Sequence, residues 1–188
     1  MNAAPESEFE QVLAMTCAML SDARIAYCVG GSVASSRHGV YRSTLDLDLV
    51  VDLDEPAART FCARVAADYY VDETAVVDAV RRGASFNLIH LATGIKVDCF
   101  VVGASAFRRS QCDRSQADEH GIRYLTAEDS ILTKLCWFRD GGEISDRQWQ
   151  DLLGVMRSQR GRLDDEHLDS WASNLDVEDL LDRVRREA

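Results

Sequence analysis

No run in this 188-residue chain approaches the ~18 consecutive apolar side chains that a membrane-spanning helix requires, so no membrane partner is expected. The opening segment MNAAPESEFE is acidic and lacks the basic and apolar stretches of a secretory leader, which makes the cytoplasm the expected compartment. Cys-x-x-C pairs are missing too: Cys17, Cys28, Cys62, Cys99, Cys112 and Cys136 stand singly. That removes the usual zinc spacing and leaves buried, reduced thiols as the default. A basic surplus is also lacking. The 21 Lys and Arg face 32 Asp and Glu, for a formal net charge of −11, and such a surface repels bulk nucleic acid. Arg108, Arg109 and Arg114 cluster loosely, and Arg81 and Arg82 pair; these are local basic patches or solvated helix ends. No repeat, low-complexity tract, long linker or nucleophilic-serine arrangement is evident.

What is present fits one ordinary domain, or a core with a small helical appendage, and 46% hydrophobic residues supply ample core material. Ser7 with Glu10 reads as a capping box opening a helix to about Ala23. A strand follows at Ile25 to Val29, a short helix after Ser32, and a strand from Leu45 to Leu53. Glu55-Pro56 starts a helix reaching about Asp68, and Ala75 to Arg82 is helical. Ser85 to Leu91 and Ile95 to Val101 read as a hairpin turning at Thr93-Gly94. Gly103 to Arg114 is a helix or loop, and a short strand lies near Ile122 to Leu125. From Thr126 the pattern is helical only: a helix capped by Thr126 with Asp129, a Gly141-Gly142 break, a second capping box at Ser145 and Gln148, then helices near Glu166 to Ala172 and Val177 to Arg186. The expected fold is α/β (α+β), a mixed sheet flanked by helices. Residues 1–125 would form the core, and residues 126–188 a helical subdomain packed on it.

The stretch Cys28 to Leu53 carries the chemistry. Gly30-Gly31-Ser32 stand where a short apolar strand turns into a helix, so the backbone can approach a ligand and unpaired N–H groups face it. Downstream, Asp46 and Asp48 interrupt the apolar residues Leu45, Leu47, Leu49 and Val51. Strand alternation sends the apolar side chains to one face and both carboxylates to the other. Like charges that close favour a divalent cation. A DLDL strand alone also fits a half-exposed strand with a wet face, and a lone Gly-Gly-Ser is often a plain turn. Together they describe a site for a nucleoside triphosphate and its metal.

Gly30-Gly31-Ser32 followed by Arg42-x-Thr44-x-Asp46-x-Asp48 resembles the signature of the DNA polymerase β-type nucleotidyltransferase superfamily. The Arg-x-Thr-x-Asp-x-Asp spacing and a later helix carrying Lys134 are similar to AbiEii-like toxin nucleotidyltransferases of abortive-infection systems. The core of the likeness covers about residues 25 to 101. It implies a third carboxylate on a neighbouring strand, which Asp98 in Ile95 to Val101 supplies. It further implies Mg²⁺, or Mn²⁺ in its place, held by Asp46, Asp48 and Asp98. Gly30, Gly31, Ser32, Arg42, Thr44, Lys134 and Asp151 would then bind the nucleotide. Arg42 would act electrostatically, and Thr44 would fix its loop by hydrogen bonds. Lys134 otherwise reads as a lysine that snorkels to solvent, and Asp151 as an exposed or capping residue. His38 lies near the glycine turn, within reach of a phosphate or simply on the surface, and His90, His120 and His167 build no site by spacing.

The expected reaction is transfer of a nucleoside monophosphate from a nucleoside triphosphate to a hydroxyl on RNA, protein or a small molecule. Asp98 would complete a second metal site or accept the hydroxyl proton. The alternative is a catalytically inactive nucleotide-binding or protein-interaction module. An antitoxin-like partner and a homodimer are both compatible with the apolar C-terminal helices.

Overall fold

The computed structural model describes residues 7–39 and 41–188. The acidic segment before Ser7, on which the expectation of no leader rests, and Val40 lie outside the described residues. Helix α1 (Glu8–Asp22) opens as its sequence dictates: Ser7 accepts from the Glu10 N–H while the Glu10 carboxylate accepts from the Ser7 N–H. Strand β1 (Tyr27–Val29) leads through Gly30 into α2 (Gly31–His38), which begins at Gly31 instead of after Ser32. Strand β2 (Asp46–Val51) and α3 (Glu55–Val65) follow, the latter capped by Asp54 and started by Pro56.

Beyond α3 come β3 (Tyr69–Tyr70), α4 (Glu73–Arg82), β4 (Ser85–His90) and β5 (Lys96–Val101). The β4–β5 pair is the expected hairpin, with Gly94 at φ +71° in its turn. Helix α5 (Ala106–Arg114), β6 (Gln116–Ala117) and β7 (Arg123–Tyr124) complete the sheet-bearing part, and α6 (Ala127–Asp140), α7 (Asp146–Ser158), α8 (Asp165–Asn174) and α9 (Glu178–Glu187) end the chain. Thr126 caps α6 through the Asp129 N–H and Ser145 caps α7 through the Gln148 N–H.

Among the described residues the strands form one mixed sheet in the order β3-β4-β5-β2-β1-β7-β6. Strand β2 runs parallel to β5 and antiparallel to β1, so the two central strands carry the acidic residues. One sheet face presents Leu47, Leu49, Val51, Val97, Cys99 and Val101 to a core closed by α1, α3 and α4. Leu45 departs from the expected pattern: it precedes β2, is 76% exposed, and faces no core. The opposite face carries Asp46, Asp48 and Asp98 and is covered by α2, α5 and α6. A small cluster of Cys28, Ala34, Val50, Val102, Cys112 and Leu125 fills the gap there. Helices α6 to α9 share a further apolar cluster with Phe107 of α5. All six cysteines are free, and all but Cys136 are buried.

Candidate functional site

The β2–β5 register sets Asp48 directly beside Asp98 and Asp46 beside Lys96. Alternation places these four side chains on one face, with Asp46 exposed and Asp48 and Asp98 partly covered. Burial first, then the negative charges of Asp98 and Asp46, push the Asp48 carboxyl up to about 6, against the pull of Lys134 and Lys96. A carboxylate under that strain accepts a cation readily, and an all-oxygen donor set suits a hard divalent ion. Asp98 is at present engaged elsewhere, accepting a 2.8 Å ion pair from the Lys96 ammonium. Among the described residues no group of three His, Cys, Asp or Glu side chains is placed, as it stands, to hold a metal ion. The donor set fits a divalent cation in kind, and a cation at Asp98 would compete with the Lys96 ammonium on Oδ2.

Helix α2 aims its first turn at Asp48. The Gly30 N–H donates to the Asp48 carbonyl at 2.8 Å, which ties the turn to β2. Gly31 sits at φ +56°, and a Cβ there would overlap the Asp48 carboxylate, lying 2.6 Å from its Cγ. No side chain caps α2, so its leading N–H groups and positive dipole end stay open to an anion.

Arg42, Asp151 and Lys134 link to Ser32 in that turn. The Arg42 guanidinium donates to Ser32 Oγ and its Nε approaches Asp151 Oδ2 to 3.4 Å. Asp151 Oδ2 also accepts from the Lys134 ammonium at 2.9 Å. Lys134 is only 4% exposed, so it does not snorkel to solvent, and Asp151 is neither a cap nor a free surface acid. Arg42 Nε and Nη1 are buried without a hydrogen-bond partner, the 3.4 Å contact lacking the geometry of one. Donors left so are costly until an acceptor arrives. Thr44 Oγ1 bonds to the backbone of Asp46 at 3.3 and 3.4 Å and so fixes its own loop.

Other readings change. His38 Nε2 pairs with the Leu125 carbonyl at 2.7 Å, which turns it away from a phosphate role. The arginines make no basic track: Arg81 and Arg82 pair with Glu55 and Asp78, Arg109 with Asp52, and Arg114 with Glu128, Asp129 and Asp164. Lys96, two residues before Asp98, shares the acidic face by the same strand alternation. Asp129 and His167 form a buried 2.8 Å pair that no spacing announces, 38 residues apart. Trp137 and Arg108 line a cavity that opens from Asp48, and only the packing of α5 and α6 on the sheet reveals them.

No protein-family model matches the chain, and no curated protein sequence matches it. Solved structures do. An antigenic nucleotidyltransferase-like protein from Paracoccidioides brasiliensis matches with a TM-score of 0.54 at 15% identity, over 95% of this chain and 92% of that one. The antibiotic-resistance factor ANT(2'')-Ia matches with a TM-score of 0.50 at 11% identity, over 97% and 100%. At such identities the likeness establishes the fold: a mixed sheet with flanking helices of the nucleotidyltransferase type.

Proposed function

We propose that the chain is a nucleotidyltransferase that moves a nucleoside monophosphate from a nucleoside triphosphate onto a hydroxyl. The observation that carries this reading is the pairing of Asp48 with Asp98 on adjacent parallel strands, under the uncapped start of α2. The triphosphate would lie along Gly30, Gly31 and Ser32, with backbone N–H groups and the Arg42 guanidinium donating to its outer phosphates. Lys134 adds positive charge nearby as a point donor. Asp46, Asp48 and Asp98 would hold Mg²⁺, which when bound supplies positive charge on the phosphate oxygens that the reaction loads.

Asp98 takes the acceptor's hydroxyl proton as the oxygen attacks the α-phosphorus. The bond to the bridging oxygen of the β-phosphate breaks, and pyrophosphate leaves with its electron pair. All three carboxylates are present, which weighs against the non-catalytic alternative. The finer likeness to abortive-infection toxins, and with it an antitoxin-like partner, rests on the Arg42 to Asp48 spacing and Lys134 alone.

The test is a thermal-shift panel of the four ribonucleoside triphosphates with and without Mg²⁺, on wild type and Asp48→Asn. A ligand at ~100 times its dissociation constant adds about 2.7 kcal/mol. A Mg²⁺-dependent rise in wild type that disappears in the variant supports the reading. No rise with any nucleotide, or one the variant keeps, rejects it.

A further inference from the structure

A cavity of about 230 Å³ lies between the β2–β5 surface and helices α5 and α6, and it borders Asp48 and the Gly30-Gly31 turn proposed to hold the triphosphate. That volume is below the ~300 Å³ at which pockets for drug-sized ligands begin, so it suits a molecule of one or two rings. Its lining is mainly apolar, with Phe100, Phe107 and Trp137, and also carries the polar side chains of Ser105, Gln111 and Thr133. Phe100 on the sheet and Trp137 on α6 hold their ring centroids 5.7 Å apart at 38°, forming one continuous wall.

Of the charged side chains that line it, Asp48, Arg108 and Asp140, Arg108 is the cation. It is half-buried, and its Nη1 donates to the carbonyls of Gly83 and Val101 at 2.8 and 2.7 Å. Its Cζ lies 6.0 Å from the Phe100 ring centre. The Gly83 carbonyl is itself held in place, because Gly83 and Gly103 pack so closely that a Cβ on Gly103 would come 2.8 Å from the Gly83 Cα. Arg108 thus has a fixed position. Yet no carboxylate among the described residues pairs with it, although its helix neighbours Arg109 and Arg114 both have acidic partners. Burial pulls its pKa down. Asp140 also lines the cavity, but it is exposed and forms no ion pair with Arg108.

A guanidinium fixed beside an aromatic cavity without a counter-ion calls for an anion from outside. We propose that this cavity is the acceptor pocket, and that the acceptor is a compact aromatic molecule with one anionic group held by Arg108 and a hydroxyl presented towards Asp48. The assignment rests on the nucleotidyltransferase reading. In the reaction the acceptor oxygen bonds to the α-phosphorus, the phosphorus bond to the β-bridging oxygen breaks, and pyrophosphate departs. The proton passes to Asp98, leaving a nucleoside monophosphate ester of the aromatic acid. A nucleobase would also match the cavity's size, but it is neutral and would leave the arginine uncompensated.

The test is calorimetric titration of the full chain with cinnamate, 4-hydroxycinnamate and 2-naphthoate, each alongside its carboxamide. Wild type, Arg108→Gln and Arg108→Lys are compared, and melting curves verify that each variant is folded. A charge-assisted contact should give at least about tenfold preference for the carboxylate in wild type. Arg108→Gln should lose that preference and Arg108→Lys should recover part of it. Absence of binding by all three acids, equal binding of the amides, or an undiminished preference in Arg108→Gln would overturn the proposal. So would competitive displacement of the acid by MgATP, which would give the cavity to the base. Arg108-dependent anion binding without any nucleotide-induced thermal shift would reject the transferase reading and leave the anion pocket standing.

Discussion

Gly31 is the residue where the smallest change should do most harm. Its φ of +56° is strained for any L side chain, and a methyl group there would occupy the space of the Asp48 carboxylate. Gly31→Ala should cost about 2–3 kcal/mol in urea unfolding and abolish the Mg²⁺-dependent nucleotide shift. Asp48 should behave in the opposite way. Its folded carboxyl titrates near 6 against an ordinary 3.8, so between those values the folded chain binds more protons than the unfolded chain. Stability of the metal-free protein therefore falls as pH rises through that window. Asp48→Asn removes the titration. In chelator, the variant should be more stable than wild type by about 2 kcal/mol above pH 6, or roughly 5 °C in melting temperature. The gain should fade below pH 4, even though the variant has lost the proposed activity. Melting curves at pH 4 and pH 8 check both the sign and the window.

At the level of elements, α2, α6 and α7 meet the Arg42 loop through one ionic chain: Ser32, Arg42, Asp151, Lys134. Removing Asp151 strands the buried Lys134 ammonium, whereas removing Lys134 leaves Asp151 with Arg42 as its remaining cationic partner. Lys134→Met and Asp151→Asn should each cost about 2–4 kcal/mol, and the double variant clearly less than their sum. An additive result in a double-mutant cycle would show that the pair is not coupled. This chain also marks where the sequence stops being readable. The glycine turn, the acidic strand and the hairpin could be read because their logic is local: one glycine at a positive φ, one alternation, one turn. Lys134 and Asp151 could be named only through a family likeness, and their contact with each other depends on two helices crossing. The two-residue strands Tyr69–Tyr70 and Gln116–Ala117 escaped notice because so short a run has no period. Leu45 falls outside the alternation because the pairing with β5 begins only at Asp46.

At the scale of the molecule, the charge of −11 is spread over a surface whose arginine pairs are mostly neutralised in place. No continuous basic path leads to Asp48 among the described residues. Filter binding to polyuridylate at 150 mM salt should therefore show no retention, and single-stranded RNA in excess should not displace a bound nucleotide. Tight, salt-sensitive retention would point to a polynucleotide acceptor and count against the aromatic one. The fold class was open to sequence reading because strands and helices alternate up to Leu125 and only helices follow. The strand order was not, since it depends on β2 pairing with β5 across α3, β3, α4 and β4.

The ion pair between Lys96 and Asp98 has a consequence for how the free chain lives in a cell rich in dissolved ions. The lysine acts as a tethered, monovalent placeholder at the acidic face. At Asp98 an arriving divalent ion gains only the difference between itself and that resident ammonium. A lone ion should thus be a poor competitor, whereas one that brings phosphates with it also offers the displaced lysine and the unpartnered Arg42 donors new negative neighbours. The chain would then take up metal and nucleotide together, as one cargo, and would idle without holding either.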